Sequence, residues 1–145
     1  VKRKLLGFSA IVILFSIAVV CGLQMVQVRI PATGDIRAIG LGVYSEQSCT
    51  TTLANIDWGL VSPGETKTFT CFLKSLSNVN TSLSLSVENW APSLAVSYIF
   101  FSWNRESYQV APGEVISAVL TLHVDSSIQG VSSFSFYAIV TATEA

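Results

Sequence analysis

Thr81-Ser82-Leu83-Ser84-Leu85-Ser86-Val87-Glu88 is the stretch on which the fold turns. Side chains along a β-strand alternate between two faces, so Leu83, Leu85 and Val87 point one way and Ser82, Ser84 and Ser86 the other. A strand with one greasy and one hydroxylated face belongs to an antiparallel sheet covered on one side only. The same period of two continues in both directions. Upstream, Thr66 to Lys74 places Phe69, Cys71 and Leu73 opposite Thr68, Thr70 and Phe72. Downstream, Ile116, Ala118, Leu120, Leu122 and Val124 form a second clean inward row, and Ser133 to Thr143 carries Phe134, Phe136, Ala138 and Val140.

Turn chemistry separates these rows. Ser62-Pro63-Gly64-Glu65 and Ala111-Pro112-Gly113-Glu114 each combine a proline that presets φ with a glycine that accepts positive φ, and they read as equivalent corners, each opening a long core strand. Ser77 to Asn80 reads as a hairpin loop, and Asn89-Trp90-Ala91-Pro92 ends the Thr81 strand before a crossover to Tyr98–Trp103. Earlier, Ile36 to Tyr44 is a first strand in which Gly40 and Gly42 allow another backbone or a large ring to approach closely. A short strand around Asn55 to Trp58 follows. Short strands at regular spacing, with no convincing helix after residue 34, predict an all-β, immunoglobulin-like antiparallel β-sandwich of about seven strands over residues 35–145.

The N-terminus has a different character. Leu5 to Leu23 is uncharged and almost wholly apolar behind Lys2, Arg3 and Lys4. A run of about 18 or more apolar residues can span a bilayer as a helix, and a basic flank stays on the cytoplasmic side. Residues 1–23 therefore read as a signal anchor or a signal peptide, with the rest exported: membrane-bound with an extracellular C-terminal domain, or secreted after cleavage. The segment exceeds the usual core of a cleaved signal, about 7–15 residues. Lipid modification at Cys21 and cleavage after Lys4 both lack the small residue expected before the site.

Residues 24–34 form a juxtamembrane linker or a donor strand. Val26, Val28 and Ile30 alternate with Gln27 and Arg29, a pattern able to complete the sheet edge of a neighbouring subunit. A linker, or the last turn of the membrane helix, is the plainer use.

From Gly34 onward Arg37, Lys67, Lys74 and Arg105 stand against nine acids, a net charge of −5. An acidic domain without clustered Lys and Arg argues against nucleic acid. His123 is the single histidine and alternates outward, without partners for catalysis or metal binding. No nucleophile turn or row of alternating acids occurs, so neither an enzyme nor a cofactor is expected. Trp90 and Tyr108 adjoin turns and are the aromatic candidates for stacking on a sugar, although most Trp and Tyr suit a sandwich core. Asn80-Thr81-Ser82 matches an N-glycosylation acceptor. Cys49 and Cys71 lie in the exported part; joined, they would add about 3 kcal/mol by closing their loop, whereas unjoined Cys71 is a core residue and Cys49 a loop thiol.

Gly42-Val43-Tyr44-Ser45, Ser48-Cys49-Thr50, Ile56-Asp57-Trp58-Gly59 and Pro63-Gly64-Glu65 resemble a group of largely uncharacterised archaeal exported proteins with an N-terminal hydrophobic segment and one immunoglobulin-like domain. Leu83-Ser84-Leu85, Asn89-Trp90, Ser102-Trp103-Asn104 and Phe134-Ser135-Phe136 fit the same pattern, which covers nearly the whole chain. The layout is also similar to archaeal surface-filament subunits, some of which assemble by placing an N-terminal segment in the next subunit, and to accessory modules of surface proteins and glycosidases. Cys71 stands where an aliphatic residue is expected, so a bridge to Cys49 would be particular to this chain. The resemblance implies a noncatalytic cell-surface structural or assembly module whose partners are the membrane and other surface proteins or copies of itself. A carbohydrate-binding accessory module is the alternative.

Overall fold

The structure, a computed structural model, describes residues 39–145. The apolar segment, the donor candidates Val26, Val28 and Ile30, and the first residues of the expected opening strand lie outside the described residues. Seven strands follow: β1 Leu41–Tyr44, β2 Thr66–Ser75, β3 Thr81–Ala91, β4 Ile99–Trp103, β5 Gln109–Val110, β6 Val115–Val124 and β7 Ser135–Glu144. They form two antiparallel sheets, β1-β2-β6-β4 and β5-β3-β7. The expected all-β layout of two packed sheets is what the described residues adopt.

The inward rows bring the sheets together. Cys71, Leu73, Leu83, Ile116, Ala118, Leu120, Leu122 and Val124 are all buried. One core cluster gathers Cys71, Leu73, Leu83, Val110 and the first half of β6; a second gathers Ala95, Ile99, Leu122 and Val124. Trp58 and Phe101 pack against both. Their rings meet edge to face at 6.1 Å, a favoured aromatic geometry.

Both Pro-Gly-Glu corners have the same local build. At each, the glutamate N–H bonds back to the carbonyl three residues earlier, and its carboxylate accepts the N–H of that same residue: Ser62 at 2.6 Å for Glu65, Ala111 at 2.8 Å for Glu114. Gly64 and Gly113 have φ of 79° and 73°, the left-handed region that glycine enters without steric cost. Each corner closes on the end of the other's strand, with Gly64 N–H bonding Val124 O and Gly113 N–H bonding Ser75 O. The corners are therefore equivalent in geometry but lie at opposite ends of the β2–β6 pair.

This pairing defines two ends of the sandwich. Leu41↔Ser75 and Thr81↔Glu144 bring Gly40, Leu76–Asn80 and Ala145 to one end, called here the near end. Thr66↔His123, Ile99↔Val124 and Ala91↔Ser135 bring residues 58–65, 92–98 and 125–134 to the far end.

Several local expectations change. Ser77–Asn80 is not a hairpin loop, because β2 pairs with β6 and the chain crosses to the other sheet before β3 begins. Asn55–Trp58 is not a strand; Ile56 and Trp58 do turn inward, but the backbone there follows no partner. β3 continues through Asn89 and Trp90 to Ala91 with an irregularity after Glu88, where Asn89 takes φ 55°. The crossover holds a short 3-10 helix, Ser93–Ser97. β5 is an addition that two residues could not announce. The close approach expected at the early glycines is present twice: a Cβ on Gly42 would stand 2.5 Å from the Tyr44 ring, and one on Gly40 would stand 3.2 Å from Leu76 Cβ.

Candidate functional site

Edge strands carry unpaired backbone donors and acceptors, so the edges locate where this sandwich can take a partner. The outer side of β1 is covered by its own chain: Ser45 N–H bonds Thr51 O, Leu53 N–H bonds Val43 O, and Tyr44 bridges Thr52. On β3, Glu106 Oε2 accepts the Leu85 N–H at 3.1 Å and the Trp103 Nε1–H at 2.8 Å. Two further strands end their sheets, β4 with five residues and β7 with ten, so β7 offers the longer edge. Among the described residues no strand pairs with its outer side along its ten residues.

The direction of its backbone groups follows from one bond. Ala145 N–H donates to Asn80 O, so in antiparallel alternation the odd-numbered residues of β7 bond to β3 and the even-numbered ones face away. Ala138, Val140 and Ala142 thus turn their N–H and C=O groups to the open side. These residues also belong to the inward row with Phe136. Ala138 is nonetheless exposed, while Phe136 and Val140 are half-buried. An inward residue remains open to solvent because nothing described covers the space beside it.

That space is an apolar slot of about 360 Å³. Leu53, Ile56 and Trp58 form one wall and Phe136, Ala138 and Val140 the other, above Leu85 and Leu120. Two polar devices hold the first wall. Lys67 Nζ donates to the carbonyls of Trp58 at 2.9 Å and Leu60 at 2.5 Å, fixing an irregular segment that has no strand partner. Glu46 gathers the other end, accepting from Thr50 N at 3.0 Å, Thr50 Oγ1 at 2.5 Å, Thr51 N at 2.5 Å and the Ser45 hydroxyl.

The hydroxyls of Ser45 and Thr50, with the N–H groups of Thr51 and Thr50, lower the Glu46 carboxyl from its ordinary 4.5 to about 2. A depressed acid favours the folded loop where it is ionised, so the contribution is complete above 4.5 and is lost as pH falls toward 2. Titration of the Glu46 side-chain carbon by NMR is expected to show a midpoint near 2, with Thr50 and Thr51 amides exchanging faster below it. A midpoint at the ordinary 4.5 would contradict this bonding.

The other sequence candidates are dispersed. Cys49 and Cys71 are both free thiols, so the disulfide expectation is corrected. Cys71 pairs with Ala118 and is 2% exposed, where burial raises its thiol pKa. Cys49 lies beyond the end of β1 with φ 54° and bonds Gln47 O. Trp90 meets Phe136 with the rings tilted by 31° and 4.4 Å between centres, whereas Tyr108 lies by the start of β3 with the Arg105 guanidinium 4.6 Å over its ring. They form no common platform. Asn80 is exposed immediately before β3, and Ser82, the hydroxyl residue of its triplet, is partly exposed on the outer face. His123 is on the outer face, bonded through Nδ1 to Thr66 Oγ1 at 2.8 Å and stacked on Phe100. Leu53 and Ile56 were not legible as walls, since only the fold sets them opposite β7.

No protein-family model, curated protein or solved structure matches this chain.

Proposed function

We propose that this protein is a noncatalytic assembly module of the cell surface, an immunoglobulin-like sandwich that accepts an added strand beside β7, with membership of a filament as the sharper form. The observation that carries the reading is Ala138, an inward-row residue left exposed in an apolar slot, next to backbone groups that no described strand pairs. Strand addition satisfies both needs together: its backbone bonds the edge, and alternate side chains fill the slot. Val26, Val28 and Ile30 supply the required alternation of apolar side chains. Lys2-Arg3-Lys4 and the apolar run to Leu23 support export and membrane attachment. The carbohydrate-binding alternative rests on Trp90 and Tyr108, whose separate surroundings give it no shared stacking surface.

Ala138→Arg tests the reading. The long side chain would occupy the slot from a position that is already solvent-exposed, so the domain is expected to fold while self-association of the detergent-solubilised full chain weakens by about tenfold or more. Association at wild-type strength would remove the proposal. Amides of Ala138 and Val140 should exchange slowly in the associated protein and rapidly after dilution.

A further inference from the structure

We propose that the two ends of the sandwich dock on each other, the far-end cleft of one copy receiving the Leu76 corner of the next, so that copies stack head to tail. The docking surfaces are separate from the β7 slot; the direction of the stack rests on the strand-acceptor reading.

Both ends carry aliphatic side chains in water. At the far end Leu60 is 90% exposed and Val96 54%; at the near end Leu76 is 55% exposed and Ile39 49%. Their shapes differ. The far end holds a cleft of about 320 Å³ lined by Trp58, Val61, Ile128, Val131 and Phe134, with Leu60 also at its lining. Leu94 extends this apolar surface, since it meets the Gly130 turn of the same loop. The near end projects: Leu76 occupies the crossing between β2 and β3, held out by its N–H bond to Gly40 O.

A concave and a convex apolar surface at opposite ends of one molecule make a heterologous contact, which propagates instead of closing as a symmetric dimer does. The occupant is therefore a second copy of this chain. Chain reach gives the same polarity. β7 runs from the far end to the near end, so a strand added antiparallel to it, the arrangement of every pair in this fold, leaves the acceptor at its far end. From Ile30 to Ile39 the chain can extend about 30 Å. That link brings the donor's near end to the acceptor's far end.

Sedimentation of the detergent-solubilised full chain, with Leu60→Asp and Leu76→Asp, tests the docking. Both positions are exposed, and circular dichroism melting checks that each variant remains folded. Each variant alone should associate about tenfold more weakly or worse. Mixed, they should recover the docking contact in 1:1 pairs and associate more strongly than either variant alone, because L60D retains the near end and L76D the far end. Wild-type association by either variant, or no pairing in the mixture, overturns the docking. Ala138→Arg separates the two proposals: association lost with A138R but kept by L60D and L76D removes the docking and leaves the strand reading. The converse pattern removes the strand reading and leaves the docking. A wild-type chain that remains monomeric at high concentration overturns both.

Discussion

Thr81→Val is expected to make the domain more stable by about 1–3 kcal/mol, the range for a buried polar group without a partner. Thr81 is fully buried in β3 between Val110 of β5 and Glu144 of β7, and its Oγ1 finds no hydrogen-bond partner among the described residues. Folding strips water from that hydroxyl and returns no bond. Valine keeps the branched shape and the preference for a strand while removing the polar atom, so no compensating contact is lost. Urea unfolding of the two proteins should show a higher midpoint for the variant at unchanged slope. A lower midpoint would mean that the hydroxyl is bonded in solution. The substitution leaves Asn80 and Ser82 in place, so the glycosylation triplet is unaffected.

Leu73→Ala has the opposite sign and is expected to cost about 2–5 kcal/mol. Leu73 has no exposed surface, pairs with Val43 on one side and Ile116 on the other, and packs in the cluster with Leu83 and Leu120. Truncation removes transfer energy and leaves a cavity that two hydrogen-bonded neighbouring strands cannot close. A domain of this size has roughly 5–15 kcal/mol in total, so the loss is a large share. Denaturant unfolding measures it; a change below about 1 kcal/mol would mean that the core relaxes far more than its strand pairing implies.

The comparison of Ser77–Asn80 with the Pro-Gly-Glu corners explains what could be read in advance. A corner is decided within four residues, by proline, glycine and a glutamate that reaches back to its own turn, and both corners form as expected. Whether two successive strands pair is decided by distant partners, and β2 prefers β6, more than forty residues on, to β3. Ile56 and Trp58 illustrate the same division. A short strand was expected there, but the two side chains reach the core from a backbone held by Lys67 of β2 and not by a sheet ladder. The Cys49–Cys71 pairing failed for a related reason: compartment and count describe chemistry, whereas a bridge needs two side chains brought together. The slot was legible only as half a pattern, the inward row Phe136, Ala138 and Val140.

By itself the sequence determined which face each residue of β2, β3, β6 and β7 turns to the core, because the two-residue period is a property of the extended backbone. It also determined the corners, because proline and glycine act on their own dihedrals. The tertiary structure decided which strands share a sheet, which strands end each sheet, and that Leu53, Ile56 and Trp58 stand across an apolar gap from Ala138. Those features depend on hydrogen bonds and packing between residues far apart in the chain, which no local pattern specifies.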